Sequence, residues 1–237
     1  MQVGMSDAPG PILDGLKVDA SPRDTLADRA YRSIRVAIIN QDLVPDRYYS
    51  EAWLAGALGV SRTPTHSALL QLEMEGLVEI VAQRGFRLRQ VSEAEYIEFY
   101  DVRLLLETNV LRTLAPRVTP GEIATLREFL VRQRRVVEDP LTFQDLDEGF
   151  HRFIAETAGL HRTAAIIHSL RGILWLCTAH RPARQREAVV LQHAAIVDGL
   201  EARDAEAAVR ALERHLRSSK EWYRQQAAAE ASADTSA

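Results

Sequence analysis

The sequence has one cysteine, Cys177, so no disulfide can form within the chain and a reducing, cytoplasmic setting is expected. No stretch approaches the roughly 18 consecutive apolar residues that a membrane-spanning helix needs. Charge of one sign is also missing: 29 Lys and Arg stand against 33 Asp and Glu, which argues against an indiscriminate binder of polyanions. Taken by segment, residues 1–20 are acidic, residues 21–91 carry nine Arg against eight acids, and residues 92–237 are mildly acidic again. A nucleic-acid reader built this way has to place its few arginines well, because diffuse phosphate attraction is weak. There is no internal repeat and no sustained heptad seam. What the chain does have is 46% hydrophobic residues over 237 positions, enough to fill one large core or two smaller ones. Residues 1–20 lack a basic start and an apolar centre, so they read as a flexible leader and not a signal peptide. The small, polar residues 227–237 read as a loose tail.

Between residues 21 and 91 the apolar period changes once. Leu26, Ala30, Ile34, Ala37 and Ile38 recur at helical steps, with Asp24 or Ser21 as candidate N-cap. After a break at Pro45-Asp46, Ser50 precedes a second helical pattern in Trp53, Leu54, Ala57 and Leu58, which Gly59 ends. A third helix follows, capped by Ser61 or Thr63, with Pro64 in its first turn and Ala68, Leu69, Leu72 and Met74 as its buried stripe. Leu77–Val81 and Phe86–Val91 then read as two short strands joined by Gln83-Arg84-Gly85. Three helices followed by a hairpin make a winged helix-turn-helix.

Beyond Ser92 no convincing strand appears. Helical patterns run from Ser92 to Leu114, from Thr119, from Asp139-Pro140, over Arg162–Ala179, Arg184–Ala202 and Ala205–Gln226. About six helices with short connections predict an antiparallel, all-α bundle over residues 92–226.

Leu54-Ala55-Gly56-Ala57-Leu58-Gly59-Val60-Ser61-Arg62-Thr63-Pro64, with Leu72-Glu73-Met74-Glu75-Gly76-Leu77-Val78 and the tip Gln83-Arg84-Gly85-Phe86, resembles the DNA-binding domain of the GntR family of transcriptional regulators. The resemblance implies a third helix in the major groove of a double-stranded operator, with Ser61, Arg62 and Thr63 at its start contacting bases and phosphates. The residue chemistry agrees: an arginine there can take guanine O6 and N7 bidentately, and a positive helix end with hydroxyls suits phosphate. Arg84 and Gly85 resemble the family's wing-tip contact, although a plain solvated turn explains them too. Thr65, His66 and Ser67 depart from the family pattern, which places an aliphatic residue, an arginine and a glutamate after the proline. Thr65 and His66 are still counted among the candidate DNA contacts, His66 as a donor to a base edge or phosphate, so an altered operator is expected.

In the helical half, Asp147 and His151 stand at i and i+4 on one helix face, while His193 and His215 fall on the last two helices. One Asp and three His suit Zn²⁺, Ni²⁺ or another borderline divalent cation. With seven histidines in the chain, spacing alone leaves chance as an equal explanation. The order Asp-x-x-x-His, His-x-x-Ile-x-x-x-Leu and His215-Leu216 resembles the FCD ligand-binding domain of FadR-like GntR regulators. That resemblance implies that Asp147, His151, His193 and His215 hold the metal. Arg103 and Glu107, one turn apart, read either as an ordinary helix ion pair or as a ligand-gripping arginine and its orienter. The family's Gly-Asn pair after the Asp/His helix is replaced by Gly159-Leu160. Trp175, Cys177, His168, His180 and Arg171 lie on the 162–180 pattern and read as core or surface more than as ligand contacts.

The sequence therefore predicts a homodimeric, non-enzymatic regulator that reads a palindromic operator and senses a small organic or sugar acid at a metal. Two alternatives stay open: a regulator for which the ion is itself the signal, and a metal-dependent hydrolase, which has no clear extra base beyond Glu148.

Overall fold

The computed structural model describes residues 24–45, 47–178 and 180–234, the side chains of 171–174, 177, 227 and 229–234 excepted. The leader at 1–20, the capping candidate Ser21, and the side chains of Arg171 and Cys177 lie outside the described residues. The chain forms two compact units divided between Gln90 and Val91.

In the first unit, α1 (Leu26–Ile39) buries Ala30, Ile34, Ala37 and Ile38, as the periodicity predicts. Its cap is neither Asp24 nor Ser21. Thr25 accepts from the Asp28 amide at 3.1 Å while the Asp28 carboxylate accepts from the Thr25 amide at 2.9 Å, a reciprocal capping box that satisfies two otherwise orphaned donors. Helix α2 (Glu51–Leu58) starts at Ser50, whose hydroxyl accepts from the Trp53 amide, and ends at Gly59 with φ of 66°. Helix α3 (Arg62–Met74) begins after Ser61, which occupies the N-cap position without a side-chain capping bond. It packs on α1 and α2 through Ala68, Leu69 and Leu72. Met74, expected in that stripe, is 78% exposed, because it lies on the helix's last residue, where the chain turns away through Gly76 at φ 73°.

Strands β1 (Val78–Val81) and β2 (Gly85–Leu88) pair antiparallel, Val78 opposite Leu88 and Val81 opposite Gly85. The hairpin is anchored from a third side. Tyr49, just before α2, exchanges two backbone hydrogen bonds with Phe86, at 2.8 and 2.9 Å. A Cβ on Gly85 would sit 2.1 Å from the Tyr49 carbonyl oxygen, and Gly85 has φ of 94°, so only glycine fits where wing and α2 entry meet.

The second unit holds six helices among the described residues: α4 (Glu93–Leu114), α5 (Pro120–Arg135), α6 (Pro140–Thr157), α7 (His161–Thr178), α8 (Ala183–Glu201) and α9 (Ala205–Asp234). Ser92, Thr119 and Asp139 cap α4, α5 and α6. Glu122 completes a second capping box, and Pro120 and Pro140 stand at the starts of their helices, where no intrahelical N–H bond is lost. Helix α8 packs most extensively on α9, and α9 on α4. At Gly199 a Cβ would come within 2.5 Å of the Ala208 amide, which explains the close approach of α8 and α9. The core is aliphatic and aromatic, with Tyr96, Leu111, Leu126, Phe150, Val197, Leu200 and Leu212 all but inaccessible. Helix α9 continues to Asp234, beyond Ala227, where composition alone suggests a loose tail.

Candidate functional site

The first unit presents α3 as a candidate reading surface. Ser61, Arg62, Thr63, His66 and Ser67 are exposed, and they surround a helix N-terminus whose unpaired amides favour an anion. His66 is not loose on this face: its Nδ1 lies 3.1 Å from a Glu51 carboxylate oxygen at the start of α2. The ionised carboxylate can only accept, so Nδ1 donates and Nε2 is the nitrogen left to face a ligand. Thr65 overturns its expected role. It is fully buried, and its hydroxyl donates to the Ser61 carbonyl at 3.0 Å, because three residues past Arg62 the helix face has turned into the core. At the wing, Arg84 is exposed with its guanidinium 5.4 Å from the Tyr48 ring centroid, a cation–π contact that holds it over the turn. Gly85 is explained by its packing on Tyr49.

In the second unit, three buried histidines from three helices converge: His151 on α6, His193 on α8 and His215 on α9. One ring nitrogen from each lies within 4.8 Å of the other two. The second nitrogen of each ring is engaged by a neighbour. His151 Nδ1 is 2.8 Å from Glu107 Oε2, His193 Nδ1 is 3.1 Å from Gln133 Oε1, and His215 Nδ1 is 2.9 Å from Gln192 Oε1. Anchoring Nδ1 fixes each ring and leaves Nε2 as the inward donor. His151 Nε2 and His193 Nε2 are 3.2 Å apart, and Phe150 stacks on His193 at 4.4 Å between centroids. Burial, together with His193, His151 and Arg103, holds the His215 imidazole well below its ordinary pKa, and therefore neutral near pH 7. Three imidazoles crowded around a point, each oriented from behind, are a donor set that can hold a borderline divalent cation.

Asp147 stands at the margin of this group, its Oδ1 3.4 Å from His193 Nε2. Glu107 links the histidines to Arg103: one carboxylate oxygen meets His151, and the other accepts from Arg103 Nε at 2.8 Å. Burial by itself would lower the Arg103 pKa, but Glu107, with smaller help from Tyr100 and Asp147, outweighs it and raises it. Arg103 and Glu107 are both buried, so they are not a helix-surface pair. The Arg103 Nη2 atom is buried without a hydrogen-bond partner. Arg103, Asp147 and His215 line one cavity of about 480 Å³, counted with its open mouth. Trp175 is buried, as expected, and lines it as well, whereas His168 and His180 are exposed.

The model of the bacterial regulatory proteins of the gntR family matches residues 26–88, and the FCD domain model matches residues 98–218. This chain belongs to the GntR family, with an FCD domain.

This GntR protein is 30% identical over 191 residues to an HTH-type transcriptional regulator in an unstable DNA locus of Streptomyces ambofaciens, covering 79% of this chain and 80% of that one. It is 26% identical to the HTH-type transcriptional repressor RspR of Escherichia coli K12, over 89% of this chain and 94% of RspR. It is 30% identical to the repressor NanR of Citrobacter rodentium, over 71% and 74% of the two chains. Among solved structures, Escherichia coli McbR/YncC shares the fold at a TM-score of 0.69 and 19% identity, covering 86% of this chain and 99% of that one. A GntR regulator of Rhodococcus sp. RHA1 does so at 0.66 and 24%, covering 83% and 96%. The protein is a DNA-binding transcriptional regulator of FadR-like type and not an enzyme. No helix among the described residues is long and apolar enough to cross a membrane.

Sequence reasoning missed the residues that orient the others. Gln192 is the immediate neighbour of His193, a signal available in principle. Gln133 and Glu51 carry no such sign, because what they do depends on which helix lies opposite.

Proposed function

We propose that this regulator binds a palindromic operator as a homodimer in the cytoplasm, and that a small organic or sugar acid, bound beside a metal in the FCD domain, changes its affinity for that operator. Arg62, Thr63, Ser61 and His66 would contact DNA from α3, and Arg84 from the wing. Asp147, His151, His193 and His215 would hold the ion, with Zn²⁺ first in order of fit and Ni²⁺ or another divalent cation behind it. A bound cation supplies fixed positive charge that orients a carboxylate oxygen. Arg103 offers its remaining guanidinium N–H groups to the same carboxylate, and Glu107 holds Arg103 and His151 in register. The supporting observation is the three buried histidines, oriented from behind, one of which, His215, lines the same cavity as Asp147 and as Arg103, whose Nη2 has no partner. For the acid to act as a signal it must favour one of two dimer arrangements that differ in operator affinity.

The test is fluorescence anisotropy with DNA from upstream of the regulator's own gene, on metal-stripped and metal-loaded protein, with and without a panel of carboxylic acids. The expected result is a shift in operator affinity that requires both metal and acid. If metal alone switches affinity, the ion is the signal. If neither does, the sensing reading is wrong.

A further inference from the structure

The cavity that Arg103 shares with His215 holds a second buried guanidinium. Arg181, in the short connection between α7 and α8, lines the same cavity and is 8% exposed, and its Nη2 is buried without a hydrogen-bond partner. It is held rigidly. Its guanidinium lies 5.0 Å from the Trp222 ring centroid on α9, and its backbone carbonyl accepts from Arg186 Nη1. A buried charged donor left without an acceptor costs free energy that folding alone does not return, so its persistence points to an acceptor delivered from outside. Two residues with such donors, Arg103 on α4 and Arg181 in the α7–α8 connection, line one cavity. The neutral hydrogen-bonding side chains Gln144, Thr178 and Ser219 line the same cavity. Glu148, on the same wall, disfavours an acid group beside itself and suits a hydroxyl.

We infer that the effector is a small hydroxylated acid with an anionic group at each end, one bound at Arg103 and the other, a carboxylate or phosphate, at Arg181. This rests on the acid-sensing reading above and narrows it: a monoanion fills only half of the charged positions. Arg181 then serves as the length and charge gauge of the site. A planar guanidinium packed on an aromatic ring meets a carboxylate or phosphate edge-on with two parallel hydrogen bonds, which gives directional as well as charge selection.

The experiment is isothermal titration calorimetry on the full-length, metal-loaded protein with probes that share an α-hydroxy acid head and differ in the tail: glycerate and lactate as monoanions, malate and tartrate as dicarboxylates, and 3-phosphoglycerate. The dicarboxylates or the phosphate are expected to bind at least about tenfold tighter than the monoanions. Arg181→Gln should erase that advantage while leaving glycerate binding unchanged, and Arg181→Lys should restore part of it. Arg103→Gln should weaken every probe. Preference for malate and tartrate over 3-phosphoglycerate identifies the second group as a carboxylate, and the reverse as a phosphate. Monoanions binding as tightly as dianions, or dianion binding unaffected in Arg181→Gln, overturns the inference while leaving acid sensing intact. If no acid binds the wild type, acid sensing fails and the inference fails with it. Thermal unfolding of each variant separates lost folding from lost binding.

Discussion

The recognition helix and the histidine centre solve the same problem, holding a few polar side chains in a fixed pattern, under opposite conditions. On α3, Arg62, Thr63 and His66 are exposed, come from consecutive turns of one helix, and need little support beyond the Glu51 contact to His66. In the second unit, His151, His193 and His215 come from three helices, are buried, and are each oriented by a separate partner. An exposed site can be assembled locally because water satisfies whatever the ligand does not. A buried one must be complete, because every uncompensated donor or acceptor in it carries a desolvation cost.

This contrast predicts unequal sensitivity to mutation. His193→Ala should reduce metal affinity by more than the roughly 10–100-fold typical of losing a supporting residue, and Glu107→Gln should fall within that range, both read by competition with a chelating dye. Equal effects of the two would mean that Glu107 is itself a ligand. Next in size, Gly85→Ala should destabilise the first unit by about 3 kcal/mol in chemical denaturation, since it forces a strained φ and a collision with Tyr49. Unchanged stability would show that the wing can detach from Tyr49 at little cost. Arg62→Ala should cost about 1–3 kcal/mol of operator affinity in anisotropy titrations with no change in thermal stability, whereas Thr65→Val should do the reverse. If Thr65→Val alters which operators are preferred, its buried position is wrong. His66→Arg should change preference across a panel of operator variants, and an identical ranking would remove His66 from recognition.

The smallest expected effect is at the α1 cap. Thr25→Ala should cost about 1 kcal/mol. The Asp28 carboxyl is held below its ordinary value of 3.8, first by the side-chain hydrogen bond with Thr25 and then by the Thr25 amide. A lowered carboxyl pKa stabilises the folded state above the unfolded value and loses that contribution as pH falls through the folded value. The stability gap between wild type and Asp28→Asn should therefore be present at neutral pH and shrink below about pH 4.

Much of the fold was legible because it is local. Helical spacing in α1, the Ser50 and Gly59 boundaries of α2, the change of period at the wing and the capping signals at Thr119 and Asp139 are written within a few residues of where they act. The misreadings are also local in origin. Thr65 was grouped with its exposed neighbours because residues adjacent in sequence look equivalent until the helix phase against α1 and α2 is known. Met74 kept the helical period but fell where the helix no longer faces the core.

The sequence by itself determined the winged helix-turn-helix, the helical second unit, the family, and which residues carry charge or have side chains able to ligate a metal, since each depends on short-range pattern or on residue type. Only the tertiary structure decided which side chains meet. The Glu51 contact to His66, the Glu107 bridge from Arg103 to His151 and the glutamines behind His193 and His215 join residues 15 to 60 positions apart, apart from the one-turn Arg103–Glu107 step. Hydrogen-bond reach is about 3 Å, and no periodicity in the chain encodes which distant helix will come within it.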